Sequence, residues 1–324
     1  MYNSIANIRG AYNIKFTGFC HFKEKNSNKH FNINGETVMS NKVIISSDIT
    51  CDLNRELEQR YGVTCMPLHI VIGGKSYEDW VNIKPEELYE IFYKTKELPH
   101  TTAGSVGEYA DYFRQFTDKG YDVVHLSLGS KLSVTHQSAT LAAQDFDGHV
   151  YVVDSQNLST GSGLLVIKAC ELRDKGLSAK EIAEQVDAMH TKAHASFVLD
   201  RLDFMHAGGR CSAVAMLGAN LLSLKPSIEV QNDNGAAMVV GKKYRGKYDK
   251  VLLQYMEDTL AKYDNIDPSR VFITHAGTDK KYIDMVYDAL KAKNIFDEIH
   301  ITRASCTISS HCGPNTLGVL FMTK

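Results

Sequence analysis

The sequence predicts an α/β fold of two domains, in which a parallel α/β sheet domain precedes a second α/β domain with a mixed or antiparallel sheet. The chain has 324 residues, of which 44% are apolar, enough to fill one large core or two ordinary ones. From Val43 onwards, β-branched runs alternate with amphipathic helical patterns, which is typical of parallel sheets with crossover helices. Later in the chain, the Asn-Asp-Asn-Gly run at 232–235 predicts a hairpin turn, and such turns join antiparallel strands.

The first 38 residues differ from the rest of the chain. They contain Asn, Lys and isolated aromatic residues without a helical or strand period, so we expect residues 1–38 to form a loose extension. Met39 offers an alternative start for the folded unit. We therefore place an N-terminal α/β domain at 39–160 and a C-terminal α/β domain at 161–324.

The first domain begins with a strand, a turn and a helix. The run from Val43 to Ser47 predicts a buried strand. Asp52 is the expected N-cap of a helix over 53–61, which ends at Gly62. The next helix is expected to begin at Pro85, because proline is favoured in the first turn.

One more helix and two strands complete this domain. Ser105 and Glu108 have the spacing of a capping box, which predicts a helix that ends near Gly120. The apolar runs at 122–127 and 150–153 predict two further buried strands. Because helices separate these strands, we expect right-handed crossovers and a parallel sheet.

The second domain is expected to combine helices with antiparallel pairing. A capping box formed by Ser178 and Glu181 marks the start of one helix. The predicted helices lie at about 160–175, 178–192, 247–262 and 279–293. The predicted strands lie near 195–200, 226–231, 236–243, 270–275, 297–302 and 315–323.

Composition excludes several classes of function. Lys and Arg number 36 against 38 Asp and Glu, a net charge of −2, which is too balanced for the basic surface that nucleic acid requires. No window has the roughly 18 consecutive apolar residues of a membrane span. The seven cysteines form no CxxC pair and follow no export signal, so we expect a reducing, cytoplasmic setting.

The nearest approach to a metal cluster consists of Cys306, His311 and Cys312. We expect this segment to be a strand, in which the adjacent side chains of His311 and Cys312 point to opposite faces. Zinc needs ligands that converge on one point. The sequence therefore predicts no metal site here.

The common motifs for nucleotides and acyl-enzyme chemistry are incomplete. The Gly-Gly-Lys-Ser run at 73–76 lacks the earlier glycine of a phosphate loop, because His69 stands in its place, and a hairpin turn is expected instead. No GxGxxG motif follows the first strand. The runs at 104–107 and 160–163 do not match the G-x-S-x-G serine elbow. We therefore expect no bound cofactor.

Four loops rich in hydroxyl side chains follow strands or precede helices, where open α/β sheets place their ligands. They are 48–52, 100–105, 129–135 and 154–157. Each loop alone is explained by capping and turn formation. Together they predict a pocket that offers neutral hydrogen-bond donors to a small anionic head group such as a carboxylate.

Two histidines are candidates to complete such a pocket. His275 follows a predicted strand, and His311 precedes a Cys-Gly-Pro run. Either could donate a hydrogen bond or carry a charge to the head group. The alternative for each is a loop histidine that is satisfied by its neighbours.

The Gly-Gly-Arg run at 208–210 predicts a glycine turn that carries Arg210. An exposed Arg there could dock an acidic partner or a phosphate, or it could simply follow a helix C-cap. The apolar stretch from Ala213 to Leu224 could line a tunnel for a chain or pack in the core. Its apolar side chains include Met216, Leu217, Leu221 and Leu222.

From Val43 to the C-terminus the chain resembles the DegV family, whose best understood members are the fatty-acid-binding FakB subunits of bacterial fatty acid kinase. The resemblance rests on the order and number of short landmarks. They are Asp-Ile-Thr-Cys-Asp-Leu at 48–53, Thr101 ahead of Gly-Glu-Tyr at 107–109, Leu-Ser at 132–133 ahead of Gln-Ser-Ala at 137–139, Asp-Ser at 154–155, Gly-Gly-Arg at 208–210, Lys-Pro at 225–226 and His-Cys-Gly-Pro at 311–314.

The resemblance implies a two-domain carrier that is not itself an enzyme and buries a long-chain fatty acid, such as palmitate or oleate, between its domains. It implies that Thr101, Ser133 and His311 hold the carboxylate. Thr50 and His275 are then candidates for a secondary part of the pocket. Arg210 would meet a separate kinase subunit, which brings ATP and magnesium, phosphorylates the acid and so supplies acyl phosphate for phospholipid synthesis.

The chain departs from the usual family pattern near the expected head group. Residues 102–104 read Thr-Ala-Gly where Ser-x-Pro is common, and Val134 and Asn315 stand where glycine is usual. Val134 lacks the freedom of glycine at positive φ and adds bulk. We therefore expect that the ligand could be shorter, differently shaped or not a fatty acid.

Two alternatives from other classes remain open. The first is a self-sufficient enzyme that acts on a small carboxylate or phosphate and uses Ser133 or His311 directly. The second is a regulatory interaction module whose pocket is vestigial. Turnover without a kinase would favour the first, and a kinase partner that depends on Arg210 would count against the second.

Overall fold

The computed structural model describes residues 29–31, 37–39, 42–215 and 224–324. Within the expected N-terminal extension, two short strands, β1 (Lys29–Phe31) and β2 (Thr37–Met39), pair antiparallel. The sequence pattern did not predict this pair. The other residues of the expected 1–38 extension lie outside the described residues.

A parallel sheet organises the N-terminal half. The elements of this half are, in chain order, β3 (Lys42–Asp48), α1 (Arg55–Tyr61), β4 (Val63–Met66), β5 (His69–Ile72), β6 (Lys75–Glu78), α2 (Pro85–Thr95), β7 (His100–Thr102), α3 (Val106–Thr117), β8 (Tyr121–Ser127), α4 (Thr135–Ala143) and β9 (Val150–Asp154). Strands β4, β3, β8 and β9 are neighbours in that order, and all three pairings are parallel. The predicted parallel sheet is confirmed.

A small antiparallel sheet stands beside the parallel one, with its strands in the order β6-β5-β7. Gly73 and Gly74 join β5 to β6 with φ values of 62° and 68°, so the predicted hairpin turn is confirmed. Strand β7 is the important one for the site, because it carries Thr101. Its antiparallel pairing with β5 places Thr101 opposite Ile70.

A mixed sheet organises the C-terminal half. The elements are α5 (Ser159–Asp174), α6 (Ala179–Met189), β10 (Ala193–His194), β11 (Ser196–Val198), α7 (Asp203–Gly208), α8 (Ser212–Ala215), β12 (Leu224–Gln231), β13 (Ala237–Arg245), α9 (Tyr248–Leu260), β14 (Ile266–Ala276), α10 (Lys280–Lys293), β15 (Glu298–Arg303), α11 (Cys306–Cys312) and β16 (Thr316–Thr323). The strand order is β13-β12-β11-β16-β14-β15, with β10 also on β16. In this sheet β14 and β15 pair in parallel, and the other described pairings are antiparallel, so the sheet is mixed.

Helix α5 lies between the two sheets and contacts β3 and β8 on one side and β14 and β16 on the other. It is buried over most of its surface, as a helix with apolar residues all round must be. The largest apolar cluster therefore runs through the helix from one sheet to the other, and it includes Ile45, Leu126, Leu165, Phe272 and Leu320. Each such side chain contributes about 1.5–3 kcal/mol by leaving water. The division at residue 160 stays a prediction.

The expected role of Asp52 as the N-cap of α1 is wrong. Asn54 caps this helix, and its side chain accepts a hydrogen bond from the backbone N–H of Leu57 at 3.0 Å. Asp52 instead ends a 3₁₀ turn over Ile49–Cys51 with φ of 51°, and its side chain turns into the protein. Gly62 does end α1, with its N–H on the carbonyl of Glu58.

The segment around Cys306 and His311 was expected to be a strand, and it is the helix α11. Ser305 caps this helix, and its hydroxyl accepts from the backbone N–H of Ile308 at 3.4 Å. The β-branched residues Thr307 and Ile308 favour a strand locally, so a distant contact decides the outcome. His311 and Cys312 therefore do not lie on opposite faces of a strand, as was expected. Across the described ranges, no group of three His, Cys, Asp or Glu side chains is placed to hold a metal ion.

The distant contact that favours the helix α11 comes from Asp79, a fully buried residue that follows β6. Its carboxylate accepts the backbone N–H of Cys306 at 2.9 Å and that of Thr307 at 2.7 Å. It also accepts the hydroxyl of Thr307 at 2.7 Å. The carboxylate thus satisfies donors that the first turn of a helix leaves without partners.

Of the apolar stretch over 213–224, the structure describes the part in α8 and the start of β12. Met216, Leu217, Leu221 and Leu222, the candidates for a tunnel wall, lie outside the described residues. In the part of the chain that is described, none of the helices is long and apolar enough to cross a membrane.

Asp79→Ala tests whether this carboxylate holds α11. The change leaves two buried N–H groups and one hydroxyl, on Cys306 and Thr307, without their acceptor. Because each unpaired buried polar group costs about 1–3 kcal/mol, we expect the free energy of unfolding to fall by about 3 kcal/mol or more. Urea unfolding followed by circular dichroism measures this loss.

The matched control is Asp279→Ala, which removes an exposed N-cap that accepts from the N–H of Lys281 at 3.1 Å. A cap of this kind contributes about 1 kcal/mol. Equal losses in the two variants would show that α11 does not depend on Asp79.

Candidate functional site

A cavity of about 430 Å³ lies between the two halves of the protein. Its volume falls within the range of about 300–1,000 Å³ that small-molecule sites occupy. Both halves supply apolar walls, and the apolar lining includes Leu68, Leu128, Leu132 and Leu158 from the first half and Phe197, Met205, Met238 and Leu320 from the second. The cavity is therefore suited to an apolar body that is enclosed from two sides.

Several hydroxyl side chains also line the cavity, but they are bonded within its wall. Ser196 shares a hydrogen bond with the hydroxyl of Tyr255 at 2.9 Å, and Thr316 donates to the carbonyl of Cys312 at 2.8 Å. Thr274 lies 2.6 Å from the hydroxyl of Thr160. These three hydroxyls are satisfied without a ligand, so they add little polarity to the wall. The Nδ1 atom of His275, which also lines the cavity, is buried without a partner.

One end of the cavity is polar. There the hydroxyl of Thr101, on β7, lies 2.8 Å from Nε2 of His311, on α11. Both residues line the cavity. The structure thus brings together two of the three residues that the resemblance assigned to a carboxylate, although they are 210 positions apart in the chain.

The protonation of His311 follows from its surroundings. Burial, with the charges of Arg210 and His100, lowers the pKa of His311 to about 4, so the ring is neutral at pH 7. Its Nδ1 is buried without a partner. Because an orphaned buried N–H is rarer than an orphaned acceptor, we assign the proton to Nε2. Nε2 then donates to Thr101, which leaves the Thr101 hydroxyl proton free to donate to a ligand.

Gly208 makes room for this ring. A Cβ atom at this position would lie 2.3 Å from Nδ1 of His311, closer than real contacts allow. The first glycine of the Gly-Gly-Arg run is therefore needed for the approach of α7 to α11. The sequence pattern of this run predicted only a turn and a docking site.

Ser133, the third expected residue, also lines the cavity and lies just before α4. Its hydroxyl donates to the hydroxyl of Thr135 at 2.9 Å and accepts from the backbone N–H of Thr135 at 3.2 Å. Ser133 is half-buried, so a ligand in the cavity can reach its side chain.

The substitutions for glycine do not strain the backbone in the way expected. Val134 has φ of −75°, an ordinary value, so the expected difficulty at positive φ is wrong. Its side chain is 62% exposed beside the cavity. Asn315 does have a positive φ, 60°, which Asn adopts more readily than most residues.

Arg210 is exposed at the mouth of the cavity. Its Nε donates to the carbonyl of Leu132 at 3.2 Å, and its Nη1 donates to the carbonyl of Gly208 at 2.6 Å. The guanidinium therefore bridges the two halves beside the polar end. Its role in docking a kinase stays a prediction.

The two candidates for a secondary part of the pocket are not brought together. His275 lines the cavity, and burial with the charge of Arg303 lowers the pKa of His275 to about 4. Thr50 is buried in the 3₁₀ turn after β3 and is not among the residues that line the cavity. The hydroxyl-rich loop at 48–52 contributes its aspartates to the protein interior instead.

Asp52 supports the wall of the cavity, and the sequence pattern predicted a different role for it. Its carboxylate accepts the hydroxyl of Ser159, which lines the cavity, at 2.5 Å and the backbone N–H of Ser305 at 2.8 Å. Burial raises the pKa of Asp52 to about 7, against the opposing effect of these hydrogen bonds. Its partners lie more than 100 positions away, so no local signal could have identified them.

The fold and the cavity define an α/β protein of two halves with a mainly apolar site between them. A family model described as an uncharacterised protein of the DegV family matches residues 42–324. The chain belongs to the DegV family, as the landmarks in its sequence indicated.

A curated relative and several solved structures agree with this assignment. A DegV domain-containing protein of Caldanaerobacter subterraneus subsp. tengcongensis is 32% identical over 288 residues, which cover 87% of this chain and 99% of the relative. A structure described as fatty acid binding of a DegV family protein from Thermus thermophilus has a TM-score of 0.78 and 28% sequence identity. The match covers 87% of this chain and 100% of the Thermus chain.

Two further structures are similar. DegV of Bacillus subtilis, described as a fatty acid binding protein, has a TM-score of 0.74 and 26% identity, with coverage of 88% and 100%. A stearic acid-binding protein of Eubacterium ventriosum has a TM-score of 0.72 and 26% identity, with coverage of 86% and 98%. The predicted two-part α/β fold is therefore confirmed.

Gly208→Ala tests the packing that orients His311. The added methyl group meets Nδ1, so the ring must turn and its hydrogen bond to Thr101 lengthens. We expect the ring ¹H and ¹⁵N NMR signals of His311 to shift and the free energy of unfolding to fall.

Gly107→Ala is the matched control, because this helical glycine has no atom within 4 Å of an added Cβ. It is expected to gain about 0.5–1 kcal/mol from the better helix propensity of alanine. Unchanged His311 signals in Gly208→Ala would contradict the proposed contact.

Proposed function

We propose that this protein binds a long-chain fatty acid, such as palmitate or oleate, with its alkyl chain in the cavity. Its head group lies at the polar end, beside Thr101, Ser133 and His311. The observation that carries the proposal is the mainly apolar cavity of about 430 Å³ whose wall holds the hydrogen-bonded pair of Thr101 and His311. The fatty acid binding described for the Thermus and Bacillus relatives supports it.

The hydrophobic effect is large enough to drive such binding. Burial of a methylene group contributes about 0.8 kcal/mol, so the fourteen methylenes of palmitate contribute roughly 11 kcal/mol in all. Association and ordering oppose binding by at least about 4 kcal/mol. The balance of these free energies predicts tight binding through the alkyl chain. The polar residues then determine which end of the ligand lies at the mouth of the cavity.

We further propose that the protein acts in the cytoplasm as a carrier for a separate ATP-dependent fatty acid kinase. In that reaction a carboxylate oxygen of the bound acid attacks the γ-phosphate of ATP, which releases ADP and forms acyl phosphate. Arg210 is exposed beside the polar end, at the place where a partner must reach the head group. The incomplete nucleotide motifs of this chain are consistent with ATP bound by the partner.

A self-sufficient enzyme is less well supported. Ser133 is bonded to Thr135 rather than to a histidine. A Ser-His-Asp arrangement does exist, in which the hydroxyl of Ser46 lies 2.9 Å from Nδ1 of His125 and Nε2 lies 3.3 Å from Asp48. All three side chains are buried, so no substrate reaches that serine. The open cavity likewise favours ligand binding over a vestigial pocket.

Palmitate binding by two variants tests the site. Thr101→Val keeps the shape of the side chain and removes its hydroxyl, so we expect the dissociation constant for palmitate to rise about tenfold. Ala276→Phe places a ring in the cavity and should abolish binding by excluding the tail. Displacement of a fluorescent fatty acid from delipidated protein measures both.

Thr95→Val is the matched control, because this exposed hydroxyl donates to the carbonyl of Ile91 at 2.9 Å and lies away from the cavity. It should bind palmitate as the unchanged protein does. The proposal fails if the unchanged protein binds no fatty acid, or if both cavity variants bind as tightly as Thr95→Val.

The kinase step has its own test, the formation of acyl phosphate trapped with hydroxylamine when ATP, magnesium and a purified fatty acid kinase subunit are added. We expect product only with the kinase present. Arg210→Ala should reduce the rate of product formation by a larger factor than it reduces palmitate affinity. Product without the kinase would favour the self-sufficient enzyme, and none with it would refute the carrier role.

A further inference from the structure

The hydroxyl proton of Ser133 points away from the cavity. It is donated to the hydroxyl oxygen of Thr135 at 2.9 Å, while the Ser133 oxygen accepts the backbone N–H of Thr135 at 3.2 Å. A serine hydroxyl has one proton and two lone pairs. Ser133 therefore offers the cavity its remaining lone pair, which makes it an acceptor for a ligand.

The acceptor of this proton is out of reach of a ligand. Thr135 is fully buried at the start of α4, and it is not among the residues that line the cavity. The direction of the Ser133 hydroxyl is therefore set within the wall of the protein.

Thr101 has the opposite polarity. It accepts the proton on Nε2 of His311, and its own proton is free for the ligand. The polar end of the cavity thus offers one donor, Thr101, and one acceptor, Ser133. A neutral carboxylic acid has the complementary pair, a C=O acceptor and an O–H donor, whereas a carboxylate has acceptors alone.

We propose that the cavity takes the fatty acid in its protonated form, with the acid O–H donating to Ser133 and the C=O accepting from Thr101. This inference rests on the proposed function and names the chemical state of its ligand. Thr135 is the positioning residue that keeps Ser133 an acceptor. A fatty acid anion at pH 7 takes up one proton from the buffer on binding, and it loses that proton before its oxygen can attack a phosphate.

The cations at the polar end are exposed at its mouth. Lys131 donates to the side chain of Asn234, and Arg210 donates to the carbonyls of Leu132 and Gly208. Both cations are exposed to solvent and hydrogen-bonded to protein acceptors, so neither is a buried counter-ion for a carboxylate.

The buried titratable groups of the wall are neutral. The pKa values of His311 and His275 are both lowered to about 4, first by burial and then by the nearby charges of Arg210 and of Arg303. Arg303 is itself paired with Glu86 at 3.0 Å. The described cavity lining contains no Asp or Glu. Burial therefore acts on the ligand without a buried counter-ion and raises the pKa of its carboxyl group.

The test compares dodecanoate with dodecanamide between pH 6 and pH 8. The primary amide has the C=O acceptor and a donor of the neutral acid but does not titrate in this range. Because only the protonated acid binds, we expect its affinity relative to the amide to fall tenfold for each unit of pH. The ratio cancels any titration of the protein itself, including that of Asp52.

Two variants connect this ratio to the hydrogen bond from Ser133 to Thr135. Thr135→Val removes the acceptor of the Ser133 proton, so Ser133 becomes able to donate to a carboxylate. We expect the ratio in this variant to change less than threefold per unit of pH. Thr140→Val, on the exposed side of the same helix, removes a hydroxyl that donates to the carbonyl of His136 at 2.8 Å, and should keep the tenfold change.

A second measurement covers the case in which Thr135→Val does not fold. The ¹³C chemical shift of carboxyl-labelled dodecanoate bound to the unchanged protein should keep the value of the neutral acid from pH 6 to pH 8. A carboxylate shift, or an acid-to-amide ratio that does not change with pH, overturns the inference while palmitate binding still stands. If neither dodecanoate nor dodecanamide nor palmitate binds, the proposed function fails as well.

Discussion

Two buried carboxylates of the N-terminal half hold the first turn of α11 in the C-terminal half, and the site depends on this contact. Asp52 accepts the N–H of Ser305, and Asp79 accepts the N–H groups of Cys306 and Thr307. Buried carboxylates are costly unless their oxygens are fully hydrogen-bonded, and here helix donors supply those bonds. The same helix carries His311 at its other end.

The contact explains how one cavity can be built from both halves. With α11 held against the turn after β3 and the turn after β6, its His311 ring reaches Thr101 on β7. Gly208 leaves room on the other side of the ring. Helix α5 holds the two sheets apart, and the wall hydroxyls bond among themselves. The result is a mainly apolar cavity that also holds a hydrogen-bonded polar pair, Thr101 and His311, and such an arrangement suits a fatty acid.

Much of the fold could be predicted from local patterns. The β-branched run at Val43 and the capping boxes at Ser105 and Ser178 reported their elements correctly, because caps and buried runs act over a few residues. The prediction failed at Asp52 and at the segment of Cys306, where the deciding partners are more than 100 positions away. The local sequence around an aspartate does not show whether its carboxylate is buried in a loop or exposed as a helix cap.

The candidate site could likewise be predicted only in part. Thr101, Ser133 and His311 came from the resemblance to a family, and the structure adds their geometry: the first and third are hydrogen-bonded, and all three line one cavity. Thr50 does not line it, because its loop turns inward with Asp52. The donor Thr101 and the acceptor Ser133 come from a strand and a loop, and only folding brings them to one cavity.

The most direct test of the account is a crystal structure of the protein with palmitate bound. The account predicts the alkyl chain between the two sheets and one carboxyl oxygen within about 3.0 Å of the Thr101 hydroxyl. A cavity closed by its own side chains, or a palmitate whose carboxyl group lies at the opposite end, would contradict it.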